Sequence, residues 1–267
     1  MTVIRAEDLT LGYGRNQIVS GLNFTLSPGQ ITGFVGPNGC GKSTVVKALS
    51  RVLRPLSGRV LIGERDIIEI PRLELARMVG VVPQVSLLPS NFTGFEAVLM
   101  GRNPHMGLFR YEGEHDMNIA LAAMQATHIS HLAERRIGEL SGGEIQSVVI
   151  ARVLAQETGA ILLDEPTSNL DIGRQIDILD LMRELCEQGV TIVVVLHDLN
   201  LAAQYCDHLL LFFGGTVVAE GAPAEVITQD NIRAVYGNGS AVHFIDGLPA
   251  VLPRPGREYK IRGAANR

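Results

Sequence analysis

A glycine-rich segment near residue 40 carries the strongest chemical signal in the chain. It consists of Gly36, Pro37, Asn38, Gly39, Cys40, Gly41, Lys42, Ser43 and Thr44. It follows an apolar stretch typical of a strand and precedes a stretch with helical spacing. Glycines let consecutive backbone N–H groups point at an anion, and the N-terminus of the following helix adds a positive dipole. Lys42 brings a full charge to the β- and γ-phosphates and Ser43 an oxygen for Mg²⁺, so the segment predicts a P-loop that binds a nucleotide.

Two adjacent acids, Asp164 and Glu165, end a second apolar stretch at residues 160–163. In an open sheet of parallel strands, ligands bind at the carboxyl ends of the strands, where this pair would lie. Neighbouring residues on a strand point in different directions. We therefore predict that Asp164 belongs to the metal shell and that Glu165 is the general base for an attacking water. Without the P-loop, the pair would be interpreted as a solvated acidic turn.

Hydrophobic periodicity predicts the elements that position these residues. Strands are predicted at 3–11, 17–26, 31–35, 59–62, 79–82, 160–163, 190–196, 208–213 and 217–219. Helices are predicted at 42–53, 92–101, 116–133, 144–155, 172–187, 199–206 and 223–236, with a polar loop at 102–113. The alternation of strand and helix predicts a mostly parallel sheet covered on both faces. The helix at 223–236 and the residues 241–252 that follow it are predicted to form a small appendage, and residues 253–267 a polar tail.

Composition limits the classes of protein that fit. The 267 residues are 46% hydrophobic and 19% charged, as expected of one large α/β domain or two joined subdomains. A net charge of −5 argues against a nucleic-acid binder, which needs a dominant basic face. Three scattered cysteines favour neither a disulfide framework nor a thiolate metal site, and they favour the cytosol. We expect no membrane span and no signal peptide, since no apolar run approaches about 20 residues.

Further motifs follow the P-loop in a characteristic order. Gln84 ends a predicted strand, the LSGGE segment at 140–144 opens a helix, LDEPTSNLD spans 163–171, and His197 follows the strand at 190–196. Together these resemble the ABC ATPase family over nearly the whole chain. The resemblance implies an α/β P-loop NTPase core with a mostly parallel sheet, an N-terminal antiparallel β subdomain and an inserted helical subdomain at about 86–155. The ATPase domain is then expected at 1–237, with a short C-terminal appendage and tail at 238–267.

The resemblance also implies roles around bound ATP and Mg²⁺. Tyr13 matches the aromatic residue that stacks on adenine. Gln84 matches the glutamine that senses the metal, alongside Ser43 and Asp164. His197 matches the histidine that contacts the γ-phosphate and orients the water, so that Glu165, His197 and Lys42 form the expected catalytic set.

A second anion-binding surface is expected at the LSGGE segment. Ser141, Gly142 and Gly143 form another exposed helix N-terminus suited to an anion. In the family this signature closes on the γ-phosphate held by a second copy, and Asp171 matches an aspartate at that contact. ATP then joins two copies of the chain, and hydrolysis releases them. Glu144 stands where the family's commonest form has glutamine, and we expect it to point along the helix, away from the phosphate.

Cys40 lies inside the P-loop, close to the predicted N-terminus of a helix. Such a position lowers the pKa of a thiol and favours the reactive thiolate. We therefore predict that a thiol-alkylating reagent blocks ATP binding and that prior ATP protects. Cys40 could otherwise be a plain small residue.

Within the family, GPNGCGKST, residues 93–105 and LHDLNLAAQYCD look most like the ATPases of importers for iron–siderophore, haem or cobalamin complexes. This step rests on analogy. It implies a homodimer on the cytoplasmic face of the membrane, bound to integral membrane permease subunits and indirectly served by a substrate-binding protein, with no nucleic acid. Apolar side chains either line a groove for a permease helix or form the helical subdomain's own core. They are Val85, Leu87, Leu88, Phe92 and Phe95.

Two other functions remain open at this point: a soluble ABC ATPase, for example in iron–sulfur assembly, and the ATPase of an exporter whose membrane helices are on a separate chain. A translation-type protein is expected to carry two cassettes, and a chromosome-maintenance type a long heptad insertion. A metabolic P-loop kinase has no use for LSGGE.

Overall fold

The computed structural model describes residues 2–85, 87–106, 112–168 and 170–254. Its strands are β1 (Ile4–Tyr13), β2 (Asn16–Leu26), β3 (Ile31–Val35), β4 (Ser57–Ile62), β5 (Arg65–Asp66), β6 (Val79–Val82), β7 (Ala160–Asp164), β8 (Thr191–Val195), β9 (His208–Phe213), β10 (Thr216–Gly221), β11 (Ser240–Ile245) and β12 (Leu248–Pro253). Its α-helices are α1 (Lys42–Leu49), α2 (Arg72–Met78), α3 (Gly94–Leu99), α4 (Glu114–Ala126), α5 (Gly142–Ala155), α6 (Ile172–Glu187), α7 (Leu199–Tyr205), α8 (Pro223–Val226) and α9 (Gln229–Tyr236). The predicted tail lies, from residue 255 on, outside the described residues, as do residues 107–111 of the predicted loop.

A six-stranded sheet in the order β10-β9-β3-β8-β7-β6 forms the centre of the fold. All neighbours are parallel except the edge pair β9 and β10. Every residue of β3, β7 and β8 is buried, as expected of apolar strands covered on both faces. Because β6, β7, β8 and β3 are consecutive neighbours, the segments that follow them meet at one edge of the sheet.

A second, antiparallel sheet in the order β2-β1-β4-β5 stands beside the central one. Its inward-facing residues, such as Leu9 and Leu11, share a core with Val45 and Leu49 of α1 and with Phe34 of β3. The opposite face of the central sheet packs on α5 and α6 in another core. Helix α1 is therefore held between the two sheets, which fixes where the P-loop that precedes it can lie.

Helices α3, α4 and α5 enclose a third core of their own, which includes Val98, Met124 and Leu132. The segment is tied to the rest of the chain by Arg102, which is 3% exposed. Its guanidinium pairs with Asp116 at 3.0 Å and Glu157 at 2.7 Å. Removing either acid would deprive a buried guanidinium of a charged hydrogen-bond partner, so this cluster helps to hold the helical part in one position.

Helix ends depart from the periodicity in four places. The helix predicted at 42–53 ends at Leu49, because Arg51 takes a left-handed φ of 58°. The helix predicted at 92–101 begins at Gly94 with a capping box on Thr93 and continues as 3₁₀ turns over Met100–His105. The one predicted at 116–133 ends at Ala126, because His128 takes a left-handed φ of 56°. The one predicted at 223–236 is two helices, since Thr228 caps a new start. Strand β5 and helix α2 were not predicted; both are short.

The appendage is a hairpin of β11 and β12. The side chain of Asn200 on α7 fixes it, because its amide donates to the Val251 carbonyl at 3.3 Å and accepts from the Val251 N–H at 2.7 Å. Among the residues described, no helix has both the length and the hydropathy needed to cross a bilayer.

Candidate nucleotide-binding site

The P-loop conformation depends on three glycines. Gly36, Gly39 and Gly41 have φ of 143°, 78° and 109°, which other residues rarely adopt. Two of them also lack space for a side chain. A Cβ on Gly36 would lie 2.3 Å from the Phe212 carbonyl oxygen, and one on Gly41 would lie 2.4 Å from Val19. The loop therefore winds tightly from β3 into α1, as the sequence predicts.

The ammonium of Lys42 is held by the P-loop itself. Its Nζ donates to the carbonyl oxygens of Gly36 at 2.7 Å and Pro37 at 2.9 Å, and the residue is only 4% exposed. The cation is thus already at the wall of the cavity, where phosphate oxygens can replace the two carbonyls. A buried charge with directional partners is well suited to bind an anion.

Asp164 and Ser43 form an oxygen pair at the edge of the sheet. The Ser43 hydroxyl donates to Asp164 Oδ1 at 2.8 Å. Burial raises the pKa of the Asp164 carboxyl, while the hydrogen bond from Ser43 opposes that shift. A buried carboxylate beside a hydroxyl fits Mg²⁺, which prefers hard oxygen ligands and uses one or two carboxylates together with phosphates.

Glu165 is the centre of a network that joins three strand ends. It follows β7 with a φ of 55°, an uncommon value for a non-glycine residue. Its Oε2 accepts from Gln84 Nε2 at 2.8 Å, and its Oε1 lies 2.6 Å from His197 Nε2. Its side chain is 13% exposed. The carboxylate is therefore held in one orientation by a residue after β6 and a residue after β8.

One open cavity of about 440 Å³ collects most of these groups. It is lined by Asn38, Gly39, Gly41, Lys42, Ser43, Thr44, Gln84, Glu165 and His197 from the predicted set. Ile18 lines it as well, and the sequence analysis missed it. Its place on β2 predicts only a position in a sheet, and no sequence signal shows that β2 passes beside the P-loop. Gly36, Pro37 and Cys40 shape the loop without lining the cavity.

Tyr13 lies apart from this cavity lining, at the end of β1. It is 48% exposed, and Lys47 Nζ lies 3.5 Å from its hydroxyl and 6.0 Å from its ring centroid. Lys47 is on α1, five residues after Lys42. The ring therefore presents an accessible aromatic surface near the helix that carries the P-loop lysine, and a role in adenine stacking stays a prediction.

Ser141, Gly142, Gly143 and Asp171 line a different cavity, of about 750 Å³. Gln84 is the residue that both cavities share. Ser141 is the N-cap of α5, and Asp171 caps α6 by accepting from the Arg174 N–H. The P-loop and the signature segment thus line separate cavities, and the signature segment does not close over the P-loop of its own chain. Anion binding at the signature segment stays a prediction.

The orientation expected for Glu144 is wrong. Its carboxylate folds back over the start of α5, where Oε2 accepts from both the N–H and the hydroxyl of Ser141 at 2.7 Å. These bonds, with the charges of Arg135 and Arg174, lower the pKa of the Glu144 carboxyl. The reason is local: a glutamate three residues after a serine N-cap completes a capping box.

Cys40 is buried at 8% exposure, and Lys42 Nζ lies 3.7 Å from its sulfur. Alkylation would place a bulky group inside a loop that has no room for it.

We expect alkylation of Cys40 by N-ethylmaleimide to abolish ATP binding. Saturating ATP should slow the alkylation at least about tenfold, because bound phosphates hold the loop closed over the thiol. Binding of a fluorescent ATP analogue and labelling followed by mass spectrometry measure both effects. The variant Cys40→Ala is the control and should bind ATP and resist the reagent; equal labelling rates with and without ATP would refute the prediction.

The chain is similar to known proteins in sequence and in fold. The family model described as ABC transporter matches residues 19–168. The ferric enterobactin transport ATP-binding protein FepC of Escherichia coli K12 is 43% identical over 253 residues, which are 94% of this chain and 93% of FepC. The iron(3+)-hydroxamate import ATP-binding protein FhuC of Bacillus subtilis 168 is 41% identical over 237 residues, or 88% of each chain. A solved inward-facing transporter assigned to the metal-chelate type superposes with a TM-score of 0.82 at 30% identity, covering 96% of this chain and 98% of that one. The chain therefore belongs to the ABC transporter family.

Proposed function

We propose that this chain is the ATP-binding and ATP-hydrolysing subunit of an importer for a metal-chelate compound such as an iron–siderophore, haem or cobalamin complex. The observation that carries the hydrolytic part is the shared cavity, in which the P-loop with Lys42 faces Glu165 held by Gln84 and His197. The import and metal-chelate part rests on the similarity to FepC, FhuC and the metal-chelate type transporter.

The cavity residues divide the work of hydrolysis. Lys42 and the P-loop N–H groups bind the phosphates, and the ordered loop keeps the γ-phosphate facing the edge of the sheet. Glu165 accepts a proton from the attacking water, and His197 keeps that carboxylate oriented. Ser43, Asp164 and the amide oxygen of Gln84 would hold Mg²⁺, which offsets the negative charge of the phosphates.

Two copies are needed to complete a site. The signature residues Ser141, Gly142 and Gly143 line a cavity that the P-loop does not share. A second copy can bring its signature segment to the first copy's γ-phosphate, so that ATP bridges the two surfaces. The proposed working unit is therefore a homodimer with two ATP molecules at its interface.

A permease helix is the proposed partner of the surface next to Gln84. Val85 and Leu87 are 73% and 91% exposed, whereas Leu88, Phe92 and Phe95 pack against the core of α3–α5. The apolar residues of this segment thus divide into two exposed residues and three that stabilise the helical part. Because Val85 and Leu87 lie next to Gln84, a permease helix that binds them at the cytoplasmic face of the membrane would also affect the network around Glu165. Permease contact and hydrolysis would in this way be linked.

We expect Leu87→Asp to reduce recovery of the permease with this chain at least about tenfold, because burying a new carboxylate in an apolar contact is costly. ATP binding by the isolated subunit should stay within about twofold, since Leu87 does not line the nucleotide cavity. Pull-down from detergent-extracted membranes and ATP titration measure the two quantities. Phe244→Asp, at a 61% exposed site on the C-terminal hairpin, is the control and should not affect recovery.

The proposal as a whole is tested by tagging the chain in its native cells, extracting membranes in mild detergent and identifying co-purifying proteins by mass spectrometry. A polytopic permease together with a substrate-binding protein is the expected result. The purified complex is then placed in liposomes with ATP on the side of the membrane that carries this subunit. It should move a ferric siderophore, haem or cobalamin toward that side. Recovery with cytosolic iron–sulfur assembly proteins alone would favour the soluble alternative, and ATP-driven efflux would favour an exporter.

A further inference from the structure

The start of α5 is already occupied by an anion that belongs to the chain. Glu144 Oε2 takes the N–H and the hydroxyl proton of Ser141, both at 2.7 Å. The capping box at α3 differs, because there Glu96 accepts from the Thr93 N–H at 2.8 Å while the Thr93 hydroxyl serves as an acceptor for the Glu96 N–H at 3.2 Å. At α5 the hydrogen bond from the Glu144 N–H to the Ser141 hydroxyl oxygen is long, at 3.4 Å. The hydrogen of that hydroxyl is donated to the Glu144 carboxylate.

This geometry conflicts with phosphate binding at the same place. The proposed dimer brings the γ-phosphate of a second copy to this helix N-terminus, where the Ser141 hydroxyl is a side-chain donor with one hydrogen to give. A carboxylate at a helix N-terminus also offsets the positive end of the helix dipole, which is what attracts a phosphate. The γ-phosphate and Glu144 therefore compete for one donor and for one electrostatic position.

Two arginines stand where they can take up the displaced carboxylate. Arg135 Nη1 lies 3.4 Å from Glu144 Oε1. Arg174 lies against the signature segment, with Nη1 3.1 Å from the point where a Cβ on Gly143 would lie. Both guanidiniums act favourably on the Glu144 charge. A short rotation of the side chain from Ser141 toward Arg135 exchanges one set of charge-assisted bonds for another.

We propose that Glu144 is a positioning residue that occupies the signature segment in the nucleotide-free chain and sets the ATP concentration at which two copies join. It acts through Ser141: dimerisation requires the γ-phosphate to displace the carboxylate from the Ser141 hydroxyl. The inference rests on the proposed ATP-bridged homodimer. With Glu144 in place, the two copies join only at a higher ATP concentration than they would with an uncharged residue at the same position.

The test compares Glu165→Gln with the double variant Glu165→Gln, Glu144→Gln. Both hold ATP without hydrolysing it, so the dimer fraction is measured against ATP concentration by analytical ultracentrifugation with Mg²⁺. Glutamine keeps an oxygen for the Ser141 N–H but removes the charge that attracts the hydroxyl hydrogen. The double variant should reach half-maximal dimer at about 5–10-fold lower ATP, the range of a modest coupling between two binding events. With Glu165 intact, Glu144→Gln should lower the KM for ATP by a similar factor and change kcat less than about twofold.

The matched control is Glu96→Gln, which removes the same charge from the equivalent position of another capping box. It should leave the dimerisation midpoint and KM unchanged, while thermal melting checks that both variants fold. An unchanged or higher midpoint for the Glu144 variant, beside a parent that does dimerise, overturns this inference and leaves the proposed function standing. A Glu165→Gln parent that stays monomeric at saturating ATP overturns the ATP-bridged dimer and the inference with it.

Discussion

Replacing Glu165 with glutamine is expected to lower ATP turnover by about 10²–10⁴-fold, the range that a positioned general base contributes. Glutamine has nearly the same shape, so its amide can still contact Gln84 and His197, but it cannot accept the proton of the attacking water. ATP binding should persist, because Lys42 and the P-loop are unchanged. A second copy then has time to join, so an ATP-bound dimer should accumulate.

Phosphate release and light scattering on a size-exclusion column measure these two effects. The control is Glu220→Gln, because Glu220 also pairs with a histidine, His208, at 3.0 Å, but between β9 and β10. That variant should keep turnover within about twofold. If Glu165→Gln hydrolyses ATP at the parent rate, Glu165 is not the base; if it is inactive yet monomeric with excess ATP and Mg²⁺, the bridged dimer is wrong.

Lys42→Met is expected to weaken ATP binding by about 10–150-fold, which corresponds to the loss of one hydrogen bond to a charged group at about 1.5–3 kcal/mol. Methionine fills the buried space of the lysine stem, so packing around this 4% exposed residue is largely kept. Only the ammonium is removed, and with it the bonds to the Gly36 and Pro37 carbonyls. Hydrolysis at low ATP should fall by at least the same factor.

Calorimetric titration with a non-hydrolysable ATP analogue measures the affinity. Arg54→Ala removes a positive charge from an exposed position shortly after α1 and is the control for net charge; its affinity should match the parent. Circular dichroism establishes whether Lys42→Met remains folded. A folded Lys42→Met chain with parental affinity would show that the P-loop N–H groups alone bind the phosphates.

The two variants separate the steps of the proposed cycle. Lys42→Met weakens nucleotide binding, so at an ATP concentration near the parent's dissociation constant it should remove ATP-dependent dimerisation, whereas Glu165→Gln acts after binding and should prolong the dimer. At that concentration the combined variant should behave like Lys42→Met alone, because little ATP is bound. A combined variant that dimerises at the same ATP concentration as Glu165→Gln would show that Lys42 does not contribute to nucleotide binding.

Local chemistry let the sequence determine much of this protein. Strands covered on both faces are largely apolar runs, and so β3 and β6 begin and end where the periodicity predicts. The P-loop is a contiguous segment whose glycines, lysine and serine act on one ligand, and its identity and the ABC family resemblance needed no structure. The folding back of Glu144 was also within reach, because its spacing from Ser141 is that of a capping box. Helix ends were less predictable, since caps and single left-handed residues decide them.

The family resemblance had already grouped distant residues around ATP, but only the tertiary structure gives the contacts between them. Gln84, Glu165 and His197 meet because β6, β7 and β8 are neighbours in the sheet, and strand order is a long-range property that periodicity does not carry. Packing of the antiparallel sheet beside the central one brought Ile18 of β2 to the nucleotide cavity and left Tyr13 of β1 outside its lining. The tertiary structure also put the signature segment in a separate cavity. The sequence thus determined the chemistry of each segment. Packing between segments decided which side chains come into contact. The reason is that side chains far apart in the chain can act on one ligand only after the sheet has brought them close together.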